Sequence, residues 1–426
     1  MFLARAKHAP LTVHINRPAP SAALVTALAS PAPGPGAGAG ASSSAGAGES
    51  AGARVAELDL HDLRALSPPQ LVAQLLSFPA PRLLRATVRY CAERAAAQDP
   101  DDANANAPEL EPPAVALFAG TAPRLEDLTL HDVPFLPANA LAALRRLRLS
   151  FDVTVARWTP RDLVRLLPRL PVLEELRVSG ASAAAAHEAR DAGADEEPSA
   201  GVLPCLRTFE VSRGHSDDAD PVAFAREVLS RVSLPSRCNI RLRGVPARRL
   251  VTLTDLHLPH ADTFTRFSVD VTFTAITLVA STSDSLASFS AELETAGATK
   301  ARLQSCVIAF ATAGPAAAAR SVSVASQRAW AAWCDASVFL SALSRATELE
   351  VRDALLADEL LAALSTPLKS PADVQAARSP CSRLETLRLP PGTNPVEKLE
   401  AICAERKARG GLCIALESAR PCIPLE

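Results

Sequence analysis

One apolar spacing recurs along this chain and limits what it can fold into: a step of three residues followed by a step of two. Residues 167–180, LPRLPVLEELRVSG, carry it at Leu173, Leu176 and Val178. A lone helix repeats its apolar face at steps of three and four, and a half-buried strand at steps of two. The mixture returns at Val55, Leu58 and Leu60, at Leu83, Ala86 and Val88, and at Leu125, Leu128 and Leu130. It is present again at Leu144, Leu147 and Leu149 and at Leu206, Phe209 and Val211. Later copies read as Phe273, Ile276 and Leu278, as Leu303, Cys306 and Ile308, as Leu349 and Val351, and as Leu384, Leu387 and Leu389.

This spacing matches L-x-x-L-x-L, the strand segment of a leucine-rich repeat. The first apolar residue ends an incoming turn, and the next two face the core from a short strand. Their neighbours Thr129, Arg148, Arg177, Glu210, Glu350 and Arg388 are then expected to face solvent. Pro81, Pro123, Pro171 and Pro204 each stand two residues before a first apolar position, as fixed-φ entries to extended segments. Helical patterns lie between the copies. Thr159-Pro160, Ser67-Pro68 and Asp220-Pro221 open three of them as cap and first-turn pairs. ASVFLSALSRA (336–346) and residues 394–411, ending in a Gly stop, supply two more.

The order cap, helix, turn, strand predicts an α/β fold: an irregular leucine-rich-repeat-like solenoid, its curved parallel sheet backed by helices. The Asn that ties neighbouring turns in regular repeats is replaced by Val133, Asp152, Ala181, Gly214 and Gly392, so uneven curvature is expected. Residues 29–53 are an Ala/Gly/Ser/Pro insertion expected to be disordered, as are loops near 95–113, 181–201 and 311–320. The expected organisation is an N-terminal strand/helix segment at 1–28, that insertion, and the solenoid over 54–426. Solenoids tolerate such insertions because each unit contacts only its neighbours.

Charge narrows the function. The 44 Lys and Arg residues nearly balance 46 Asp and Glu, for a net charge of -2, which argues against nucleic acid or an anionic membrane as the main partner. No run of eighteen strongly apolar residues suggests a membrane span, and Arg5, Lys7 and Pro10 interrupt any signal-peptide core. Nine scattered cysteines without a CxxC pair fit reduced thiols, so an intracellular protein, cytoplasmic or nuclear, is expected. Aromatics make up 4% of the chain, and such a core must be built from Leu, Val and Ala.

Motifs for chemistry are weak. GHSDD (214–218) begins like a nucleophile elbow, but Asp218 stands where the second Gly belongs. His257 and His260 are separated by Pro259, and no ligand cluster of zinc-site spacing accompanies them. Trp330, Trp333 and Cys334 read as a core anchor on one helical face, and the basic run 405–411 as a complement to a helix dipole. No catalytic, cofactor or metal residue is expected. The expected partner-binding residues are Arg146, Arg148, Arg177, Glu210, Glu350 and Arg388, presented to a protein by a monomer, with a merely solvated face as the alternative for most of them.

FLARAKHAPLTVHI (2–15), LLPRLPVLEELRVSG, LPCLRTFEVS and REVLSRVSLPSRCNIRLRG (226–244) resemble phrases of the F-box/leucine-rich-repeat-like proteins of mushroom-forming fungi. The resemblance covers most of the chain outside the insertions. It implies a recognition scaffold that presents a target to a cullin-based ubiquitin ligase. No F-box is visible between residues 1 and 426, so binding of a Skp-type adaptor is expected only when an F-box is supplied. The alternatives are a stand-alone repeat protein unrelated to ubiquitination and an enzyme whose site residues are spread thinly.

Overall fold

The structure, a computed structural model, describes residues 10–15, 52–61, 76, 78–90, 115–133, 135–151, 158–180, 201–214, 220–246, 256, 258, 261–327, 333–365, 381, 383–390, 400–404 and 415–418. Of the insertions expected at 29–53, 95–113 and 181–201, residues 29–51, 95–113 and 181–200 lie outside the described residues, as does most of the helix expected at 67–78. The chain divides into two compact units, residues 1–219 with 230–235, and residues 220–229 with 236–426.

The first unit contains β1 (Leu11–Ile15), β2 (Val55–Leu60), β3 (Arg85–Arg89), β4 (Asp127–His131), β5 (Arg146–Ser150), β6 (Glu175–Ser179), the two-residue β7 (Gly201–Val202), β8 (Thr208–Ser212) and β9 (Val232–Ser233). β1 to β6 and then β8 pair in chain order, each parallel to the next. β7 pairs with β9 apart from this sheet. The register is strict where it matters: Leu128, Leu147, Leu176 and Phe209 are lateral neighbours, and all are buried. Each strand alone could not bury its apolar face, but a stack of them makes one continuous layer.

The turns explain the step of three. The N–H groups of Leu83, Leu125, Leu173 and Leu206 donate to the carbonyls of Ala80, Ala122, Leu170 and Leu203, at 3.1–3.3 Å. Each is a four-residue turn, and the proline occupies its second position, where φ near −65° is required. The turn-opening residue is itself buried in all four cases, so the repeat carries an additional apolar position three before the first leucine. The next carbonyl ties one turn to its neighbour. Leu84, Glu126, Arg145 and Glu174 each accept two successive N–H groups from the following turn. Backbone groups thus make the cross-turn contacts without an Asn ladder.

α1 (Pro160–Leu166) precedes β6. Its Thr159 cap accepts from the Asp162 N–H while the Asp162 carboxylate accepts from the Thr159 N–H at 2.8 Å, a reciprocal capping box.

The second unit contains α2 (Pro221–Leu229), β10 (Asn239–Pro246), β11 (Arg266–Val271), β12 (Ala275–Ser281), β13 (Ser288–Glu294), α3 (Lys300–Thr312), β14 (Ser321–Ser326), α4 (Ala336–Ala342), β15 (Glu348–Val351), α5 (Ala354–Ser365), β16 (Thr386–Leu389) and β17 (Ala415–Ser418). Its strands lie in the order β10, β13, β12, β11, β14, β15, β16, β17. Only β12 runs against its neighbours, as the middle of a β11–β12–β13 meander. Asp220 caps α2 by accepting from Val222 and Ala223 N–H, both at 3.1 Å. α3 packs on α4, and α4 on α5.

Both units are therefore mixed α/β with mostly parallel strands. Two expected strand copies fall differently. Leu303, Cys306 and Ile308 lie within α3, where Leu303, Cys306, Val307 and Phe310 form the buried stripe of a helix. Ile276 and Leu278 are buried on a strand, but that strand is the antiparallel β12, and Phe273 is exposed at the preceding hairpin. Conversely, Phe264, Phe267 and Val269 satisfy the three-then-two spacing at β11, and Ala319, Val322 and Val324 satisfy it at β14. Of the stretch 311–320, residues 311 and 312 end α3, and Ala316 and Ala319 pack inward. Trp333 and Cys334 are buried as a core anchor, but they precede α4 and are not on a helical face.

Candidate functional site

Because side chains alternate along a strand, every residue between two core positions projects from the opposite face of its sheet. In the first unit, register aligns these projections into rows. Glu57, Arg85, Asp127, Arg146, Glu175 and Thr208 form one, with charges alternating in sign. Asp59, Thr87, Thr129, Arg148, Arg177 and Glu210 form the next. A third row runs through the strand ends, from Arg89 and His131 to Ser150, Ser179 and Ser212.

The expected residues Arg146, Arg148, Arg177 and Glu210 thus stand together on β5, β6 and β8. Arg146 Nε lies 3.2 Å from Asp127 Oδ2, and Arg148 Nη2 lies 3.2 Å from Glu175 Oε1. Arg177 Nε lies 2.6 Å from Glu175 Oε1 and 3.9 Å from Glu210 Oε2, both contacts electrostatic and without hydrogen-bond alignment. The expectation that Glu210 faces solvent is not met, since it is 6% exposed beneath its neighbours. From β4 to β8, depth sorts the charges by sign. The arginine side chains are 42–43% exposed, whereas those of Asp127, Glu175 and Glu210 are 8–19% exposed. A face of nearly balanced charge therefore presents guanidinium groups outward.

The second and third rows enclose a concavity of about 470 Å³, floored by hydroxyls of Thr87, Thr129, Ser150, Ser179 and Ser212. The strand-end serines were not singled out from sequence. Their signal is plain in RLRLS, ELRVS and TFEVS, each of which closes on Ser.

In the second unit Glu350 and Arg388 are register partners on β15 and β16. Their ion pairs go elsewhere: Arg352 Nη2 to Glu350 Oε2 at 3.3 Å, and Arg388 Nη1 to Glu348 Oε2 at 3.5 Å. A concavity of about 550 Å³ here adds Arg266, Arg320 and Arg352, with Ser268, Ser321 and Ser323 on its floor. The spacing at β11 and β14 locates Arg266 and Arg320.

Of the other candidates, Gly214 alone of 214–218 is described, and His257, His260, Trp330 and the run 405–411 lie outside the described residues. Among the described residues no cluster of His, Cys, Asp and Glu could hold a metal ion, and no helix is long and apolar enough to cross a membrane. Cys306 and Cys334 are pushed up to about 12 by burial, which leaves both thiols protonated and unreactive at neutral pH. No family model matches this sequence, and no curated protein matches it.

Proposed function

We propose that the chain is a non-enzymatic protein-interaction scaffold, an irregular leucine-rich-repeat-like solenoid whose strand face receives a polypeptide partner. One observation carries this reading: in-register rows of charged and hydroxyl side chains cover open concavities, with arginines raised above the acids that pair with them. Arginine in such a setting offers planar, multi-donor contacts to carboxylates and backbone carbonyls. The rows extend over several strands, which suits an extended segment better than a compact small molecule.

The resemblance to F-box/leucine-rich-repeat-like proteins supplies the finer version, in which the scaffold presents a target to a ubiquitin ligase. The alternative is a stand-alone binding protein, and the adaptor separates the two. A Skp-type adaptor that binds the chain only when an F-box is appended at its N-terminus supports ligase recruitment; an adaptor that binds neither form ends that version.

The scaffold itself is tested by affinity capture on the full chain, comparing it with the Arg148→Ala/Arg177→Ala variant. A stoichiometric partner lost by the variant, with thermal unfolding retained, supports the strand face as the receptor. Partners that bind both forms equally, or turnover of small substrates without any partner, reject it.

A further inference from the structure

The second unit's face leaves two neighbouring cations uncompensated, whereas the first unit's concavity has one such arginine among its described lining residues, Arg89. Arg352 and Arg388 have glutamate partners, whereas Arg266 and Arg320 are exposed and, among the described residues, have no ion pair. They are close neighbours: Arg266 is the register partner of Ser321, one residue beyond Arg320. The ground beneath them is fixed, because the Arg320 and Ser321 N–H groups both donate to the Thr265 carbonyl, at 2.8 and 3.1 Å. The Ser321 and Ser323 hydroxyls, half-buried in the same concavity, make no hydrogen bond among the described residues.

We infer that this face takes an extended, acidic segment of a partner protein, with two carboxylates on Arg266 and Arg320 and its remainder crossing β15 and β16. The inference rests on the scaffold reading and adds to it the chemistry of the occupant. Side chains at i and i+2 of an extended peptide project on one side about 7 Å apart, which suits two guanidinium groups rooted where the adjacent β11 and β14 begin, on backbones roughly 5 Å apart. A single phosphate would instead draw both cations to one point. Beyond β14 the floor is charge-balanced by Glu348 and Glu350, so the segment is expected to be acidic at one end and neutral or basic at the other. A small ion would leave that polar floor unused.

The test uses the full chain and a fluorescein-labelled twelve-residue peptide with Asp and Glu in one half and Ser and Lys in the other, read by fluorescence anisotropy. Wild type is expected to bind it and to lose affinity as salt rises. Arg266→Ala/Arg320→Ala is expected to weaken binding about tenfold, the equivalent of two exposed charge contacts, while Arg302→Ala on α3 leaves it unchanged. A peptide with Lys in place of Asp and Glu should bind no better than background. Equal binding of both peptides, or no effect of the double substitution, overturns the inference. So does binding that requires phosphoserine in place of the carboxylates, which makes the occupant a phosphosegment. If a captured partner depends on Arg148 and Arg177 while the acidic peptide fails to bind, the scaffold stands and only this inference falls.

Discussion

Gly180 shows how little room some single positions leave. Its φ is +76°, and a Cβ built there would lie 1.8 Å from the Phe151 carbonyl oxygen. Gly180→Ala should therefore cost more than about 2 kcal/mol, combining left-handed backbone strain with displacement of the neighbouring turn. Urea unfolding should show a lower midpoint at unchanged m-value. Asp335 caps α4, and hydrogen bonds from the Ser337 side chain and then its N–H hold the carboxyl below 3.8. A depressed folded value means that the cap contributes fully above the unfolded pKa and is lost as pH falls through the folded one. Asp335→Ala should cost about 1 kcal/mol at pH 7, and its deficit relative to wild type should shrink in urea melts at pH 3. Among the cysteines, Cys205 is exposed whereas Cys238, Cys306, Cys334 and Cys381 are buried. Brief alkylation of the native protein followed by peptide mass spectrometry should modify Cys205 before the other described cysteines and leave Cys306 and Cys334 unmodified. Sequence alone could place Arg177 and Glu210 on the outward face, since alternation requires it. It could not rank their depth, because alternation sets which way a side chain points and not how far its surroundings cover it: the Arg177 side chain is 43% exposed and Glu210 is buried.

At the scale of elements, the sequence was most legible where leucine marks the core and an oxygen-bearing cap precedes proline. β2 to β6, β8, β15 and β16 follow from the spacing, and α1 and α2 from Thr159-Pro160 and Asp220-Pro221. The misreading of residues 303–308 has a physical cause: a three-residue step belongs to helices as well as to this turn-and-strand unit. The deciding signals were local, with Thr299 accepting from the Arg302 N–H at one end of α3 and Gly314 beyond the other. β11 and β14 carry the spacing without a single leucine, at Phe264, Phe267 and Val269 and at Ala319, Val322 and Val324, which leaves the weakest signal of any copy. α3 also anchors this part of the core. Phe310 stacks on Phe267 of β11 and Phe289 of β13, with ring centroids 5.5 and 5.8 Å apart. Phe310→Ala should destabilise the protein by about 3–5 kcal/mol through cavity formation, whereas Phe310→Leu should cost less than half of that. Chemical denaturation of the two variants checks the ranking.

At the scale of the whole molecule, a net charge of -2 on 426 residues leaves little repulsion between copies. Solubility should pass through a minimum near the pI of about 6.5 and recover on either side, as turbidity at fixed concentration against pH would show. The β11–β12–β13 meander sets a further condition on the molecule as it is made. Ser288 on β13, the register partner of Asn239 on β10, lies 49 residues farther along the chain. At translation speeds of about 5–20 residues per second, β10 waits roughly 2–10 s on the ribosome before the strand that covers that edge has been synthesised. During that interval it is a bare, sticky edge, and a chaperone that shields it for those seconds would protect the nascent chain from joining its neighbours on the polysome.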